Sequence, residues 1–503
     1  MKFKINNVFT VEENKNKDKD KEAKPNFDDD YVVKSMGAFG RWQAIVCTVI
    51  SMSRLIAMWN ILSILFLTPA TKFICKKFKD DTEVVVENST CYSSCLEYEF
   101  DHNVFEETII SNFGLICDKA WLASLTQMIL MLGLVIGVAS FGWVSDRYGR
   151  RKAIILSAAI DLIFMIASAF APTYWTFTAL RFFVGVASGG IMSITAVFTL
   201  EIVGPQHREV AGTLALLPDS IAETSLALFA YLATTWRVYL LEIGGLSSGI
   251  LLLLLFLPET PRWLMAKGKA DAVVELMSKA AKFNKRSTSN IKENVEKSLK
   301  ELNLKENEAQ TMNYSDLFKT KQLAMITMSS VAIWFVTGLC YYGINQYITV
   351  LGSNVFIVVA VTGVIQIPTA PLATVITKVY GRKASTICSY MMIGVSMVIL
   401  IFLPNGTWVS TIFGMIGVMC SCLNFCVIYL YVIELYPTAI RNMGFSLSSS
   451  GSKLGAMVAP FLASIQPRWI ASLIFAILPF IAAAICLLLP ETKGRKLRDT
   501  VDE

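Results

Sequence analysis

Histidine is nearly absent, with two residues in 503, and both His102 and His207 fall in stretches that read as loops. The chain also lacks a Walker A loop and any cluster at metal-ligand spacing. The usual signatures of nucleotide hydrolysis and zinc chemistry are therefore missing. No enzyme activity, metal or cofactor is expected. No cleavable signal peptide is visible, because residues 1–40 are polar. Within them Val11–Asp30 is a Lys/Asp/Glu tract expected to be disordered. Long apolar runs such as Ile250–Leu257 lack the alternation of barrel strands, so helices are the expected element.

What the chain does have is apolar length. Hydrophobic residues make up 54% of it, and the mean hydropathy is +0.53, far from an ordinary soluble protein. A helix needs roughly 20 apolar residues to cross about 30 Å of hydrocarbon. Twelve such stretches are expected, at about 43–67, 120–143, 153–171, 175–200, 210–234 and 236–257, then 323–345, 351–377, 384–403, 408–434, 443–464 and 469–489. Lys and Arg gather in the 144–152 and 378–383 loops, which the positive-inside rule makes cytosolic, and both termini with them. The net charge of +6 reflects that bias and needs no nucleic-acid partner.

Three signatures then recur in one order at an offset of 232 or 233 residues. Gly142-Trp-Val-Ser-Asp146-Arg147-Tyr-Gly149-Arg150-Arg151 returns as Thr374-Val-Ile-Thr-Lys378-Val-Tyr-Gly381-Arg382-Lys383. Glu201, seven residues before Arg208, is echoed by Glu434 before Arg441, and Leu257-Pro-Glu-Thr260 by Leu489-Pro-Glu-Thr492. Two equivalent halves threaded in the same direction resemble the parallel repeats of major facilitator transporters. The expected fold is an all-α membrane protein of twelve transmembrane helices in two six-helix repeats, with cytosolic termini. Its parts are a disordered segment 1–40, a bundle 41–257, a connector 258–322, a bundle 323–489 and a tail 490–503.

The loop at about 68–118 is acidic, with ten Asp/Glu against four Lys/Arg, and is expected outside the cell. Its Cys75, Cys91, Cys95 and Cys117 form an even set in an oxidising compartment, so two disulfides are expected, with three pairings open. Asn88-Ser-Thr90 is a candidate glycan site, whereas Asn405-Gly-Thr407 lies too close to a span. In the connector, Asp271–Phe283 and Asn290–Asn307 read as short surface helices of a solvated linker, with a calmodulin or lipid contact as the alternative.

Several motifs resemble the organic cation/anion/zwitterion transporter family of the major facilitator superfamily. They are Gly40-Arg41-Trp42-Gln43, Leu115–Ser124, Gly142–Arg151, Pro258-Glu-Thr-Pro-Arg-Trp-Leu264, Glu434-Leu-Tyr-Pro-Thr-Ala-Ile-Arg441 and Pro490-Glu-Thr-Lys-Gly-Arg495. The resemblance covers about residues 36–500. Sugar porters share the Pro-Glu-Thr signature, but the long cysteine-bearing loop favours organic ion carriers.

The resemblance implies alternating access, with cytosolic charge pairs latching the inner gate. Candidates are Asp146, Arg147, Arg150 and Arg151, the pairs Glu201/Arg208 and Glu434/Arg441, and Arg382. Lys378 stands where Asp146 stands in the first half, so the second latch must be weaker or use another acid. Ionisable groups inside spans are costly and tend to face a cavity. Arg54, Asp161, Arg181, Asp219, Glu223, Glu242 and Lys453 are of this kind. Asp219 and Glu223 share a helix face, where two close carboxylates suit proton coupling or cation binding, or simply an interhelical pair. Glu242 is expected to pair with Arg237. At the place of Lys453, the resemblance implies a basic residue in anion carriers and an acidic one in many cation carriers. Ala370 and Gln366, however, depart from both subclasses. Lys453 is thus a substrate contact or a structural partner of Asp219 or Glu223. Tyr341, Tyr342, Asn345, Phe425, Tyr429 and Asn60 are further pocket candidates.

The expected function is secondary transport of small organic ions across the plasma membrane, leaning to anions or zwitterions. Organic cation carriage, sugar transport and a non-transporting sensor are the alternatives. Besides the substrate and membrane lipid, no partner is implied.

Overall fold

A computed structural model describes residues 35–493 apart from 70, 80–88, 102–103, 205–206, 307–313, 352–353, 405 and 438–439. The charged N-terminal tract, the Asn88 and Asn405 sequons, His102 and the end of the tail lie outside the described residues.

Twelve long helical segments follow one another in the expected order. The first six are α1 Arg41–Leu62, α2 Trp121–Tyr148, α3 Arg150–Ala169, α4 Tyr174–Ile202, α5 Leu217–Leu232 and α6 Trp236–Leu254. The second six are α7 Lys321–Leu351, α8 in two pieces (Val355–Gln366 and Thr369–Tyr380), α9 Arg382–Phe402, α10 Trp408–Leu435, α11 Arg441–Ala463 and α12 Arg468–Leu487. Among the described residues, ten helices are long and apolar enough to cross a membrane, and α8 makes an eleventh if its two pieces count as one span. The exception, α11, has 23 residues, enough to span, but Ser446 to Ser452 and Lys453 make it polar. Its polar face is buried against other helices: Gly451, Ser452 and Ser448 are buried, while Leu454 and Val458 are exposed.

Local chemistry explains the helix boundaries. Threonines cap α4, α6 and α10: the hydroxyls of Thr173, Thr235 and Thr407 accept from the N–H three residues on. α8 is expected as one span but bends by 41° at Pro368, whose ring removes a backbone donor. The 144–152 and 378–383 segments, expected as loops, are helical almost throughout and turn only at Gly149 and Gly381. Large apolar side chains such as Ile163, Tyr231, Phe256 and Phe402 stay exposed on the outer faces, as a lipid-facing belt requires.

One departure from all-helical structure is a small hairpin, β1 Phe73–Phe78 antiparallel to β2 Cys95–Phe100. Of the three possible pairings the structure has Cys75–Cys95 and Cys91–Cys117, with Cα separations of 5.9 and 5.8 Å. Non-reducing peptide mapping is expected to return these two cross-links. A Cys75–Cys91 or Cys75–Cys117 peptide would contradict the pairing. The end of the molecule carrying the hairpin is called the disulfide end below, and the opposite end the arginine end.

The connector is not a solvated linker. Its helices Ala270–Phe283 and Ile291–Glu306 bury Val273, Met277, Ala280, Ala281, Ile291 and Val295. These close on Met36, just ahead of α1, and on Trp263, Leu264 and Met265. The amphipathic pattern was visible in the sequence, but its partners lie far away in the chain. The halves themselves touch at Ser124, whose hydroxyl donates to Pro460 O at 3.1 Å and meets Ser464 Oγ at 3.2 Å. Phe356 also packs on Phe66 and Tyr231. These contacts lie towards the disulfide end.

Candidate functional site

At the centre, between the halves, Arg54 of α1 and Asp219 of α5 form a two-pronged ion pair, Nε–Oδ1 2.9 Å and Nη2–Oδ2 2.5 Å. Arg54 is 7% exposed, so the pairing is what makes this guanidinium tolerable. Lys453 of α11 lies within electrostatic reach of both. Its ammonium has no hydrogen-bond or ion-pair partner among the described residues, and it is only half-buried. The expected structural pairing of Lys453 with Asp219 or Glu223 is therefore not formed: Arg54 already occupies Asp219, and Glu223 is engaged elsewhere.

Glu223, fully buried, accepts from Gln366 Nε2 of α8 at 2.8 Å, with Asn345 of α7 beside it. Gln366 in turn accepts from the Tyr341 hydroxyl at 3.2 Å. The Gln366–Glu223 bond joins the two halves. Asp219 and Glu223 share a helix face as expected, yet do not act as a coupled carboxylate pair, because each has its own partner. The backbones of α5 and α8 nearly touch here: a Cβ on Gly363 would lie 2.6 Å from Thr224 N.

The aromatic candidates gather on the second half's side. Tyr341 packs edge-on to Tyr342 and against Phe425, and Trp334 packs edge-on to Phe425 and Tyr429. Tyr342 and Tyr429 also lie within electrostatic reach of Arg54. Trp334, and Phe445 of α11 that packs on Trp334 and Tyr429, were not singled out from the sequence, since their isolated aromatic letters look like ordinary packing. Ala370 is buried on α8. Asn60 is not with this group. It is fully buried within the first half, where its Nδ2 donates to Asp161 Oδ2 at 2.7 Å. Ser188 donates to Asp161 Oδ1, and Arg181 donates to Asn60 O and Ser63 Oγ. This set gives the Asp161 carboxylate two donors and the Arg181 guanidinium two acceptors at a depth where lipid offers none.

The expected Glu242–Arg237 pair is not formed. Five residues apart on a helix, the two side chains point about 140° away from each other. Arg237 instead donates to Ala169 O and Asn112 Oδ1.

At the arginine end the repeat becomes geometry. Arg150 at the start of α3 donates to Glu201 of α4 at 2.9 Å and to Asp146 of α2 at 2.6 Å. Arg382 at the start of α9 donates to Glu434 of α10 at 3.1 Å. The Pro-Glu-Thr acids cap the same two helix starts. Glu259 accepts from the N–H of Arg150 at 2.9 Å and of Arg151 at 3.2 Å. Glu491 accepts from the N–H of Arg382 at 3.0 Å and of Lys383 at 3.1 Å. The following threonines, Thr260 and Thr492, donate to Glu201 and Glu434 at 2.5 and 2.6 Å. Gly149 and Gly381 have φ of +110° and +92°, and a Cβ at either would strike the capping carboxylate. Burial pushes the Glu259 carboxyl up, against the pull of its backbone donors. For Glu491 burial works the same way, but the donors outweigh it and hold the carboxyl below its usual range.

The pairs read from the sequence were thus partly the wrong pairs. Glu201 binds Arg150, not Arg208, and Glu434 binds Arg382, not Arg441. The chain turns between each acid and the arginine seven residues on, and Arg208 and Arg441 fold back on Val203 O and Tyr436 O. Arg147 stacks over Trp143 and Tyr148 instead of joining Asp146, and Arg151 donates to Leu255 O. In the second half Lys378 leaves Arg382 without the second acid that Asp146 gives Arg150. The ion pairs described here each lie within one half.

Because Asp146 is exposed and Glu201 is not, the two should differ in weight. Asp146→Asn is expected to cost at most about 1 kcal/mol. Glu201→Gln leaves the half-buried Arg150 with only the exposed Asp146 and is expected to cost about 2 kcal/mol. Thermal unfolding in detergent should show the larger loss of melting temperature for Glu201→Gln, and equal losses would contradict this ranking.

Two like halves of six helices, with a charged centre between them and braced helix ends on one side, define a secondary carrier of the major facilitator fold. The sugar (and other) transporter family model matches residues 46–501. The inward-open xylose transporter XylE from E. coli superposes with a TM-score of 0.64 at 15% identity, over 90% of this chain and 98% of its own. Solute carrier family 22 member 13 of Homo sapiens is 32% identical over 398 residues, 78% of this chain and 71% of the relative. The organic cation transporter protein of Drosophila melanogaster is 30% identical over 441 residues, 84% and 80% of the two chains. The chain belongs to the sugar (and other) transporter family and, within it, to solute carrier family 22. It is a multi-pass membrane transporter of the organic ion type and not an enzyme.

Proposed function

We propose that this carrier moves small organic anions or zwitterions across the plasma membrane, with the arginine end and both termini in the cytosol. The observation that carries the reading is how the central charges are partnered. Arg54 and Asp219 hold each other, the Glu223 carboxylate is held by the Gln366 amide, and the Lys453 ammonium has no hydrogen-bond or ion-pair partner among the described residues. A substrate carboxylate supplies the partner that the protein withholds, and an organic cation meets like charge instead. Tyr341, Tyr342, Phe425, Tyr429 and Trp334 offer aromatic faces to an apolar body. The bundles 41–257 and 323–489 are the moving bodies, and each arginine-end cluster stiffens its own half.

The test is uptake of one labelled organic anion and one organic cation by cells expressing wild type or Lys453→Ala. Anion uptake is expected in wild type and to fall at least tenfold in the variant, at equal surface level. Cation uptake by wild type that survives in Lys453→Ala would favour the second reading, a cation carrier served by Asp219 and Glu223.

A further inference from the structure

We propose that the junction between the connector and the start of α1 is a binding site for the headgroup of an anionic phospholipid. A cavity of about 340 Å³ lies there, and its charged lining among the described residues is Arg41, Lys285 and Arg286, with no carboxylate. All three side chains are exposed, and none has an ion-pair partner among the described residues. Three cations around one hollow repel one another, so an anion placed there is favoured by all three.

The walls are built, not incidental. Asn284, at the end of the Ala270–Phe283 helix, accepts from Trp42 N at 3.0 Å. It also donates to Met36 O at 3.1 Å and Gln43 Oε1 at 2.8 Å. One side chain thereby ties the connector to the first span and sets Lys285 and Arg286 opposite Arg41.

Depth selects a lipid over a soluble anion. Arg41 is the first residue of a spanning helix, so the cavity must sit at the membrane interface. Phe39 and Phe283 line it and are 43% and 52% exposed, so its rim offers apolar surface beside the cations. Below it, Ile45 and Met52 follow Arg41 along one face of α1 and are both exposed. A phosphate held by the cations would thus have acyl chains running down this stripe. The anionic leaflet is the cytosolic one, so the site rests on the arginine end facing the cytosol.

The test uses the purified full-length protein in neutral detergent. Retention of phosphatidylserine, phosphatidylcholine and inorganic phosphate is compared by native mass spectrometry. Each basic residue near a membrane surface contributes comparably, so Arg41→Gln/Lys285→Gln/Arg286→Gln is expected to weaken phosphatidylserine retention roughly a hundredfold. Phosphatidylcholine retention should not change. A control, Lys292→Gln/Lys297→Gln/Lys300→Gln, removes equal charge from the neighbouring connector helix and is expected to retain phosphatidylserine. The milder Arg41→Gln alone should give a partial loss. Equal retention by wild type and the cavity variant, or equal loss in the control, would overturn the site. Displacement of the lipid by inorganic phosphate would overturn its assignment to a headgroup. Neither readout depends on transport, so failure here is distinct from failure of the anion reading.

Discussion

Asp219→Asn is expected to unfold the carrier more readily than any other single neutralisation at the centre. It leaves Arg54, almost wholly buried, without its carboxylate, and places it in the field of Lys453 with nothing between. Removing one member of a buried pair costs about 3–5 kcal/mol. Arg54→Gln should cost less, because the Lys453 ammonium stands within reach of the abandoned carboxylate. Arg54→Gln/Asp219→Asn should recover much of the loss, since both charges go together. Melting temperatures in detergent for the four proteins complete the cycle. A double variant no more stable than Asp219→Asn alone would show that the pair is not what holds this region.

Gly137→Leu is expected to yield little folded protein. Gly133 and Gly137 of α2 face Gly185 and Gly189 of α4, and a Cβ on Gly137 would collide with the carbonyl of Val186. The obstacle is backbone, so no side-chain rotation relieves it, and the helices would have to part along their whole seam. Overpacking of this kind costs about 1–3 kcal/mol or more. Gly142→Leu, five residues on, meets nothing within 4 Å and adds the same apolar bulk. The yield of monodisperse protein after extraction should fall for the first and hold for the second. If both hold, the seam is looser than the structure has it.

The sequence was informative where a signal repeats or stays local. The duplicated signatures and the apolar spans lie in short windows, and they pointed to the two halves and to their helices. Partners were harder to see. Arg150 and Glu201 were both singled out, but the acid was assigned to the nearer arginine, because spacing along the chain is visible and approach across helices is not. Glu259 and Glu491 stood in plain view as a repeated motif, yet their capping of helix starts about 109 residues away requires the fold. The same holds for Met36 beneath the connector. In the centre, the sequence listed the charges and could not say which of them pair with each other. Pro368 was legible as a residue but hidden by the apolarity of its surroundings.

That proline has a mechanical consequence. The bend it makes lies two residues from Gln366, whose amide fastens the second half to Glu223 of the first. The piece beyond it, Thr369–Tyr380, has 12 residues, about 18 Å of helix. Fulcrum and fastening therefore nearly coincide, with one free arm reaching to the arginine end. A change of roughly 10° at the bend would swing the far tip by about 3 Å, while the fastened end scarcely moves. Such a lever lets one end of the molecule open widely without asking the centre to let go.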